Sequence, residues 1–239
     1  MKRIILKKNF PQTFDFATVT TFLSPDFKQA IVEFPIGKTE VFAYLLSLED
    51  ENKTIFDITN SKETLFDAWA KEKTLDQLKI LETYPKEVEK IASDSFHIIT
   101  FSPNETKLLY EVQKPVTLPL GINPPLIATN QTKEVRTLQK NHLYIYDRKE
   151  DKNFEISLIP TTNYQLSSIQ WYPDSKHLVF RDNKRIIVMD YDGGNKQTIY
   201  SGPFDESFFT VTSDGSLVIL SNLNPETNKF PDLYAVGIK

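Results

Sequence analysis

The chain has three histidines, His97, His142 and His177, the side chains best suited to move protons or hold a metal near neutral pH. None has a second histidine at helical metal spacing, so the pattern does not point to zinc. His142 and His177 each open a strand, where a solvated imidazole is expected. The acidic clusters Glu49-Asp50-Glu51 and Asp190-Tyr191-Asp192 offer oxygen ligands. They lack the regular ligand spacing and closing glutamate of a calcium loop, and read as solvated hairpin turns. Gly37-Lys38-Thr39 is half of a phosphate-binding loop; Val32 stands where the first glycine is needed, and a strand rather than a helix follows. There is no cysteine, which removes disulfides and thiolate metal sites, and no Gly-x-Ser-x-Gly elbow. No catalytic residue, metal site or cofactor is assigned.

The scaffold that would carry a function is more legible. The chain has 239 residues, 40% hydrophobic and 25% charged, the composition of a soluble globular protein. A net charge of -4 argues against a nucleic-acid partner. The basic cluster Met1-Lys2-Arg3 to Lys7-Lys8 encloses only Ile4-Ile5-Leu6, which reads as a charged-ended strand and is too short for a signal peptide. No segment approaches the ~18 apolar residues of a membrane span. The expectation is a cytoplasmic protein as the sequence stands, or an extracytoplasmic one if a targeting segment lies upstream of Met1. Seven glycines are few for a β-rich chain, so Asn and Asp are expected at the turns, at Asn52, Asn104, Asp151-Lys152-Asn153 and Asp182-Asn183.

Four segments align: Phe22-Leu-Ser-Pro-Asp26 with Ala30–Phe34, Phe101-Ser-Pro-Asn104 with Lys107–Tyr110, Trp171-Tyr-Pro-Asp174 with His177–Phe180, and Val211-Thr-Ser-Asp-Gly215 with Ser216–Leu220. Each is a strand, a tight turn with Pro or Ser before Asp or Asn, and a second strand. A second hairpin follows in the first three: Val41–Leu46 with Thr54–Asp57, Leu143–Asp147 with Phe154–Ile156, and Ile186–Asp190 with Gln197–Tyr200. Repeated four-strand units of this kind are read as β-propeller blades.

Trp171–Gly202 resembles a repeat of the TolB-type, WD-like propeller family, whose blades carry a Pro-Asp turn and a later Asp-x-Asp-Gly-Gly hairpin. Ser213 and Asn104 depart from the usual Pro and Asp. The helical insertion, the proline-rich loop and Leu143–Phe154 resemble the C-terminal propeller region of bacterial proteins that carry a PEGA domain. That second resemblance implies a membrane-anchored, surface-facing architecture, although neither a PEGA domain nor an anchor is seen in the sequence. Some TolB-like lyases and hydrolases use histidines converging on the central channel, which keeps a polysaccharide lyase or hydrolase as the alternative function.

Pro173 to Ser213 is 40 residues, close to the ~40–45 of one blade, whereas Pro25 to Pro103 is 78 and Pro103 to Pro173 is 70. The two long intervals carry insertions. Ser61–Asp94 reads as helical, with Leu65, Phe66 and Trp69 on one face, a capping box at Thr74 and Gln77 before Leu75, Leu78 and Leu81, and a further short helix after Pro85. These apolar helix residues are expected in the core. Gln113–Lys140 reads as an extended, partly polyproline loop. Both insertions are expected to project from one face of the propeller.

The fold expected is all-β: a single propeller domain over residues 1–239, with the helical insertion between its first and second blades. The strand Arg3–Lys7 completes a three-strand last unit to close four blades, or else the chain is part of a larger propeller. The function expected is a non-catalytic binding or scaffold module for a protein or surface ligand. Its site is the loop face carrying Leu118, Pro119, Leu120, Ile122, Asn123, Pro124, Pro125 and Leu126. Removal of Val116–Thr129 is expected to leave the fold intact and abolish partner capture.

Overall fold

A computed structural model describes residues 19–36, 40–123, 130–157, 169–205, 208–227 and 231–238. These form an all-β protein of antiparallel sheets, with helices only in the insertion between the first and second sheets. Arg3–Lys7, Gly37-Lys38-Thr39 and Pro124-Pro125-Leu126 lie outside the described residues. The chain divides into two compact units, residues 1–79 and 80–239.

In the first unit, β1 (Thr20–Leu23), β2 (Gln29–Ile36), β3 (Glu40–Ser47) and β4 (Phe56–Asp57) pair in sequence order as sheet I. The β1–β2 turn is held by its own side chains: Ser24 Oγ donates to Asp26 Oδ1 at 2.7 Å, and Asp26 Oδ1 accepts the Lys28 N–H at 3.1 Å. Period-2 alternation gives sheet I two apolar faces. Ala30, Val32, Phe34, Tyr44 and Leu46 form one buried cluster; Ile31 and Ala43 form the other with Trp69. Trp69 belongs to α1 (Lys62–Leu81), which lies on that second face with Leu65 and Phe66 and is pinned by Lys62 Nζ to Glu33 Oε1 at 2.8 Å.

The helix does not restart at Thr74. Thr74 Oγ1 donates to the Ala70 carbonyl at 2.8 Å, a back-bond within a continuous helix, so the anticipated capping box is absent. The apolar residues also divide differently from expectation. Trp69 and Leu81 are buried as expected, whereas Leu75 and Leu78 point to solvent at 58% and 40% exposure.

In the second unit, α2 (Lys86–Ser95) leads into sheet II, built from β5 (Phe96–Phe101), β6 (Lys107–Val112), β9 (Leu143–Asp147) and β10 (Lys152–Glu155). Between β6 and β9 the expected structureless loop contains a short antiparallel pair, β7 (Val116–Thr117) with β8 (Thr137–Leu138). Sheet III is β11 (Gln170–Trp171), β12 (His177–Asp182), β13 (Arg185–Asp190) and β14 (Gln197–Tyr200). Sheet IV has three strands, β15 (Phe209–Val211), β16 (Ser216–Ser221) and β17 (Asp232–Gly237).

Sheets II, III and IV stack through alternate faces. Leu109, Leu143 and Ile145 of sheet II pack with Trp171, Leu178, Phe180, Ile187 and Met189 of sheet III. The opposite face of sheet III places Val179 and Ile186 against Phe209, Leu217 and Ile219 of sheet IV. Equivalent turns meet at each step: the Asn104 N–H donates to Ser175 Oγ at 3.1 Å, and Tyr172 OH donates to the Gly215 carbonyl at 3.2 Å. Between sheets II and III, Lys107 Nζ lies 3.4 Å from Asp147 Oδ2 and 4.5 Å from the centre of the Tyr191 ring.

The remaining face of sheet II carries Leu108, Tyr110, Val112, Tyr144 and Tyr146, and it is covered by Leu81, Tyr84, Val88, Ala92, Leu118 and Leu138. Tyr84, Val88 and Ala92 of the helical insertion and Leu118 and Leu138 of the proline-rich one therefore pack onto a face of this sheet. The reason is the alternation itself: residues 108, 110, 112, 144 and 146 are large and apolar, and the insertions are what removes them from water. Burial pushes the Tyr110 hydroxyl well above the ordinary phenol range, and it remains a donor, to Asn153 Oδ1 at 2.7 Å.

The turns solve the scarcity of glycine in two ways. Asp151, Asn183, Asn141 and Asn195 take positive φ, with Asp151 at 48° and Asn183 at 54°. Asn52 and Asn104 act through their side chains, accepting the N–H groups of Ser47 at 2.8 Å and Thr106 at 3.1 Å. One register position, immediately after the Asp or Asn of each repeat turn, is left-handed throughout: Phe27 (58°), Glu105 (58°), Ser175 (60°) and Gly215 (84°). A bulky residue there costs on the order of 1 kcal/mol, yet Phe27 keeps the conformation while 70% exposed.

Candidate functional site

The segment from Leu118 to Asn123 is anchored at its start by burial and at its middle by one carboxylate. Leu118 is fully buried under sheet II, and its N–H donates to the Arg136 carbonyl at 2.8 Å. Asp151 sits in the β9–β10 turn, where its positive φ turns its side chain inward. Its Oδ2 accepts the N–H groups of Gly121 at 2.9 Å and Ile122 at 3.0 Å, and its Oδ1 accepts Tyr146 OH at 2.7 Å. Arg136 completes the cradle. Its Nη1 donates to the Pro119 carbonyl at 2.7 Å, its Nη2 donates to the Asp151 carbonyl, and its Nε pairs with Glu134 at 2.8 Å. Burial, then the bond to Asp151, pushes the Tyr146 hydroxyl far above the ordinary phenol range, so it stays a donor at any ordinary pH. Gly121 is needed for a close approach: a Cβ there would fall 2.7 Å from Pro85 Cβ and Cγ.

The return of the loop is latched separately. Asn130 Nδ2 donates to Tyr191 OH at 3.1 Å and to Asp192 Oδ2 at 2.9 Å, and Thr132 Oγ1 donates to the same oxygen at 2.6 Å. The Asn130 N–H reaches Glu150 Oε2 at 3.1 Å, and Lys152 Nζ donates to the Asn130 carbonyl. Burial works against the Asp192 charge, but the bonds from Thr132, Gly194 and Asn130 outweigh it and hold the carboxyl below its usual range. Burial pushes the Tyr191 hydroxyl up to about 12. The Asp190-Tyr191-Asp192 turn, expected to be merely solvated, is thus a loop anchor.

Between these anchors Pro119, Leu120 and Asn123 are exposed, Leu120 at 48%, and Ile122 is half-buried. The structure therefore separates the five described residues of the expected site into one core residue, Leu118, and a presented group, with Pro124, Pro125 and Leu126 outside the described residues. The residues that position the segment, Asp151, Arg136, Tyr146, Asn130 and Asp192, carry no local spacing signal in the sequence. Tyr146 comes from β9, Asp151 and Asp192 from separate hairpin turns, and Asn130 and Arg136 from the returning part of the insertion.

The histidines do not converge. His97 and His142 lie at the end of sheet II remote from its repeat turn, and His142 Nδ1 is 2.7 Å from Glu155 Oε1. His177 lies beside the repeat turn of sheet III, with Nδ1 2.6 Å from Asp174 Oδ2 and Nε2 3.2 Å from Asp190 Oδ1. His142 and His177 each pair with carboxylates of their own sheet, where such a surface contact is worth about 0–1 kcal/mol. Among the described residues no three His, Asp or Glu side chains are grouped to hold a metal ion, and no helix is long and apolar enough to cross a membrane.

No family model matches the sequence, and no curated protein is significantly similar to it. Among solved structures the chain is similar to a TolB candidate from Agrobacterium tumefaciens, at 13% identity and a TM-score of 0.33, covering 87% of this chain and 57% of that one. It is also similar to the acylaminoacyl peptidase of Pyrococcus horikoshii, at 9% identity and a TM-score of 0.27, covering 91% of this chain and 30% of that one. A third is the β-propeller domain of the Trilobed protease from Pyrococcus furiosus, at 9% identity and a TM-score of 0.28, covering 92% of this chain and 69% of that one. The chain thus spans little more than half of the TolB candidate. These likenesses lend no support to the resemblance to PEGA-domain proteins.

Proposed function

We propose that the chain is a non-catalytic, TolB-like propeller module that binds a protein or another surface ligand through Pro119, Leu120, Ile122, Asn123 and the following Pro124-Pro125-Leu126. The observation that carries this reading is the double latch. A segment with exposed proline and leucine is held at Gly121 and Ile122 by Asp151, and at Asn130 and Thr132 by Glu150 and Asp192. Fixing an apolar loop before a partner arrives lowers the ordering cost of binding. The alternative, a lyase or hydrolase using histidines that converge on a channel, finds no support in the placement of His97, His142 and His177.

Deletion of Val116–Thr129 is unsuited to test this, because it would strip Leu118 from the core and β7 from its partner. The double variant Leu120→Glu/Asn123→Ala changes only exposed side chains. It is expected to keep the wild-type circular dichroism and unfolding midpoint, and to lose the proteins that wild type captures in a pull-down. Undiminished capture would remove the loop from the binding surface.

In this reading sheets I to IV are four blades, and the strand Arg3–Lys7 supplies the fourth strand that sheet IV lacks. Repeat-turn register and the stacking of sheets II, III and IV support it. Because the chain has no cysteine, Ile5→Cys combined with Tyr234→Cys or Ala235→Cys gives a clean disulfide trap. One of the pairs is expected to cross-link within a monomer under mild oxidation. Failure of both in folded protein would favour an open or larger propeller.

A further inference from the structure

His177 is gripped from two sides at one end of sheet III. Its Nδ1 lies 2.6 Å from Asp174 Oδ2 in the repeat turn, and its Nε2 lies 3.2 Å from Asp190 Oδ1 at the end of β13. A neutral imidazole has one N–H, so only the imidazolium can donate to both carboxylates. The two residues that follow Asp190 latch the returning loop. Tyr191 OH accepts from Asn130 Nδ2, and Asp192 Oδ2 accepts from Asn130 Nδ2 and Thr132 Oγ1. This turn is tied together closely. The Asp190 N–H donates to the Gly194 carbonyl at 3.0 Å, and Asp190 Oδ2 accepts from Asn195 Nδ2 at 2.6 Å. Asp192 Oδ1 accepts the Gly194 N–H at 3.0 Å, and the Tyr191 N–H donates to the Lys176 carbonyl beside His177 at 2.9 Å. The turn also brings two negative charges to one place. A Cβ on Gly194 would lie 3.1 Å from Asp192 Oδ1 and 3.9 Å from Asp190 Oδ2.

We infer that His177 is a pH-sensitive clip on the binding loop, tightening the Asn130–Thr132 latch when both ring nitrogens carry protons and slackening it when one is lost. This regulation rests on the loop's role as the binding surface. Between about pH 5 and 8 an imidazole is the side chain whose charge ordinarily changes. On deprotonation the Nδ1 proton stays with Asp174, the nearer carboxylate and only three residues away. Nε2 then turns a lone pair, in place of an N–H, toward Asp190 Oδ1. The cation that offset Asp190 and Asp192 is gone, and the two carboxylates repel each other across Gly194. The charged form makes the extra contact, so the latch is tightest on the acid side and loosens as pH rises. The other groups around His177 do not replace that cation. The Tyr172 ring meets it edge-on at 6.3 Å, and Asn195 is already bonded to Asp190. Lys176 is exposed, and Lys196 lies over the Phe180 ring. In the adjoining repeat turns of sheets II and IV, Glu105 and Asp214 add only negative charge. Lys107, against the Tyr191 ring, is paired with Asp147.

Hydrogen exchange on the full chain, read by nuclear magnetic resonance, tests the clip without any partner, so its failure and that of loop binding are distinguishable. The amides to follow are Asn130, which donates to Glu150, and Thr132, which donates to Asn130 Oδ1 at 2.8 Å. Their protection, corrected for the intrinsic rate at each pH, is expected to fall between about pH 5.5 and about pH 8. The fall should be about three- to fivefold, the size of one surface ion-pair contact. Protection at Gly121 and Ile122, which Asp151 holds, should stay constant. His177→Gln, checked for wild-type circular dichroism, is expected to show the weaker protection at both pH values. Asp190→Asn removes the other half of the contact and should flatten the response as well. His142→Gln, altering the imidazole that pairs with Glu155, should keep the wild-type response. Constant protection in the wild-type chain would overturn the inference. So would a response that survives in either folded variant of the clip, or one that disappears with His142→Gln.

Discussion

Asp151→Ala is expected to destabilise the second unit by about 3 kcal/mol and to free the loop it holds. The carboxylate is buried and accepts from the Gly121 and Ile122 amides and from the Tyr146 hydroxyl, and its Oδ1 lies 3.4 Å from Arg136 Nη2. Removing it strands those donors and weakens the compensation of a guanidinium that is itself mostly buried, each worth about 1–3 kcal/mol when unsatisfied. Arg136 retains Glu134, which keeps the total below the sum. The left-handed backbone adds to the loss, because alanine tolerates the 48° φ less well than Asp. Asp151→Asn keeps the backbone preference, the shape and one accepting oxygen, so it should cost roughly 1 kcal/mol. Urea unfolding at neutral pH measures both, and hydrogen exchange at Gly121 and Ile122 reports the loop directly. A loss well under about 1 kcal/mol from Asp151→Ala, with unchanged exchange at Gly121 and Ile122, would mean that the carboxylate is not the anchor.

Trp171→Ala is expected to cost about 3–5 kcal/mol. Trp171 is 9% exposed in β11, and packs among Leu109, Ile145, Leu178 and Phe180 where sheets II and III meet. Its Nε1 is the one buried side-chain nitrogen or oxygen without a hydrogen-bond partner among the described residues. An unpaired buried donor is unfavourable by about 1–3 kcal/mol, so Trp171→Phe, which removes that donor while filling most of the space, should cost no more than about 1 kcal/mol. The two variants should therefore unfold at clearly different denaturant concentrations. If Phe proves as damaging as Ala, the indole N–H is engaged in solution and the asymmetry disappears.

Much of this architecture was legible in local chemistry. The Ser24-Pro25-Asp26, Ser102-Pro103-Asn104, Tyr172-Pro173-Asp174 and Thr212-Ser213-Asp214 turns are built by neighbours within five residues, through bonds such as Lys107 N–H to Ser102 Oγ at 3.0 Å. A feature made by adjacent residues must be visible in their order. The same holds for strand alternation, which set two apolar faces on sheets I, II and III, and for the four-, four-, four- and three-strand grouping.

What the order of residues left open was which partner each apolar face takes. Leu108 and Leu109 are identical and adjacent, yet one packs under α2 and the other against sheet III. Leu75 and Leu81 belong to one helix with one apparent pattern, yet only Leu81 finds a core. The loop that opened the functional argument shows the same division. Its prolines and leucines marked it as unusual, but its anchoring depends on Asp151 and Asp192, which approach from other turns, and on Arg136 from the far end of the same insertion. Local propensity acts through bonds between neighbours and can be read along the chain. Burial and hydrogen bonding between distant segments depend on where the whole fold brings them, and only the tertiary structure decided that.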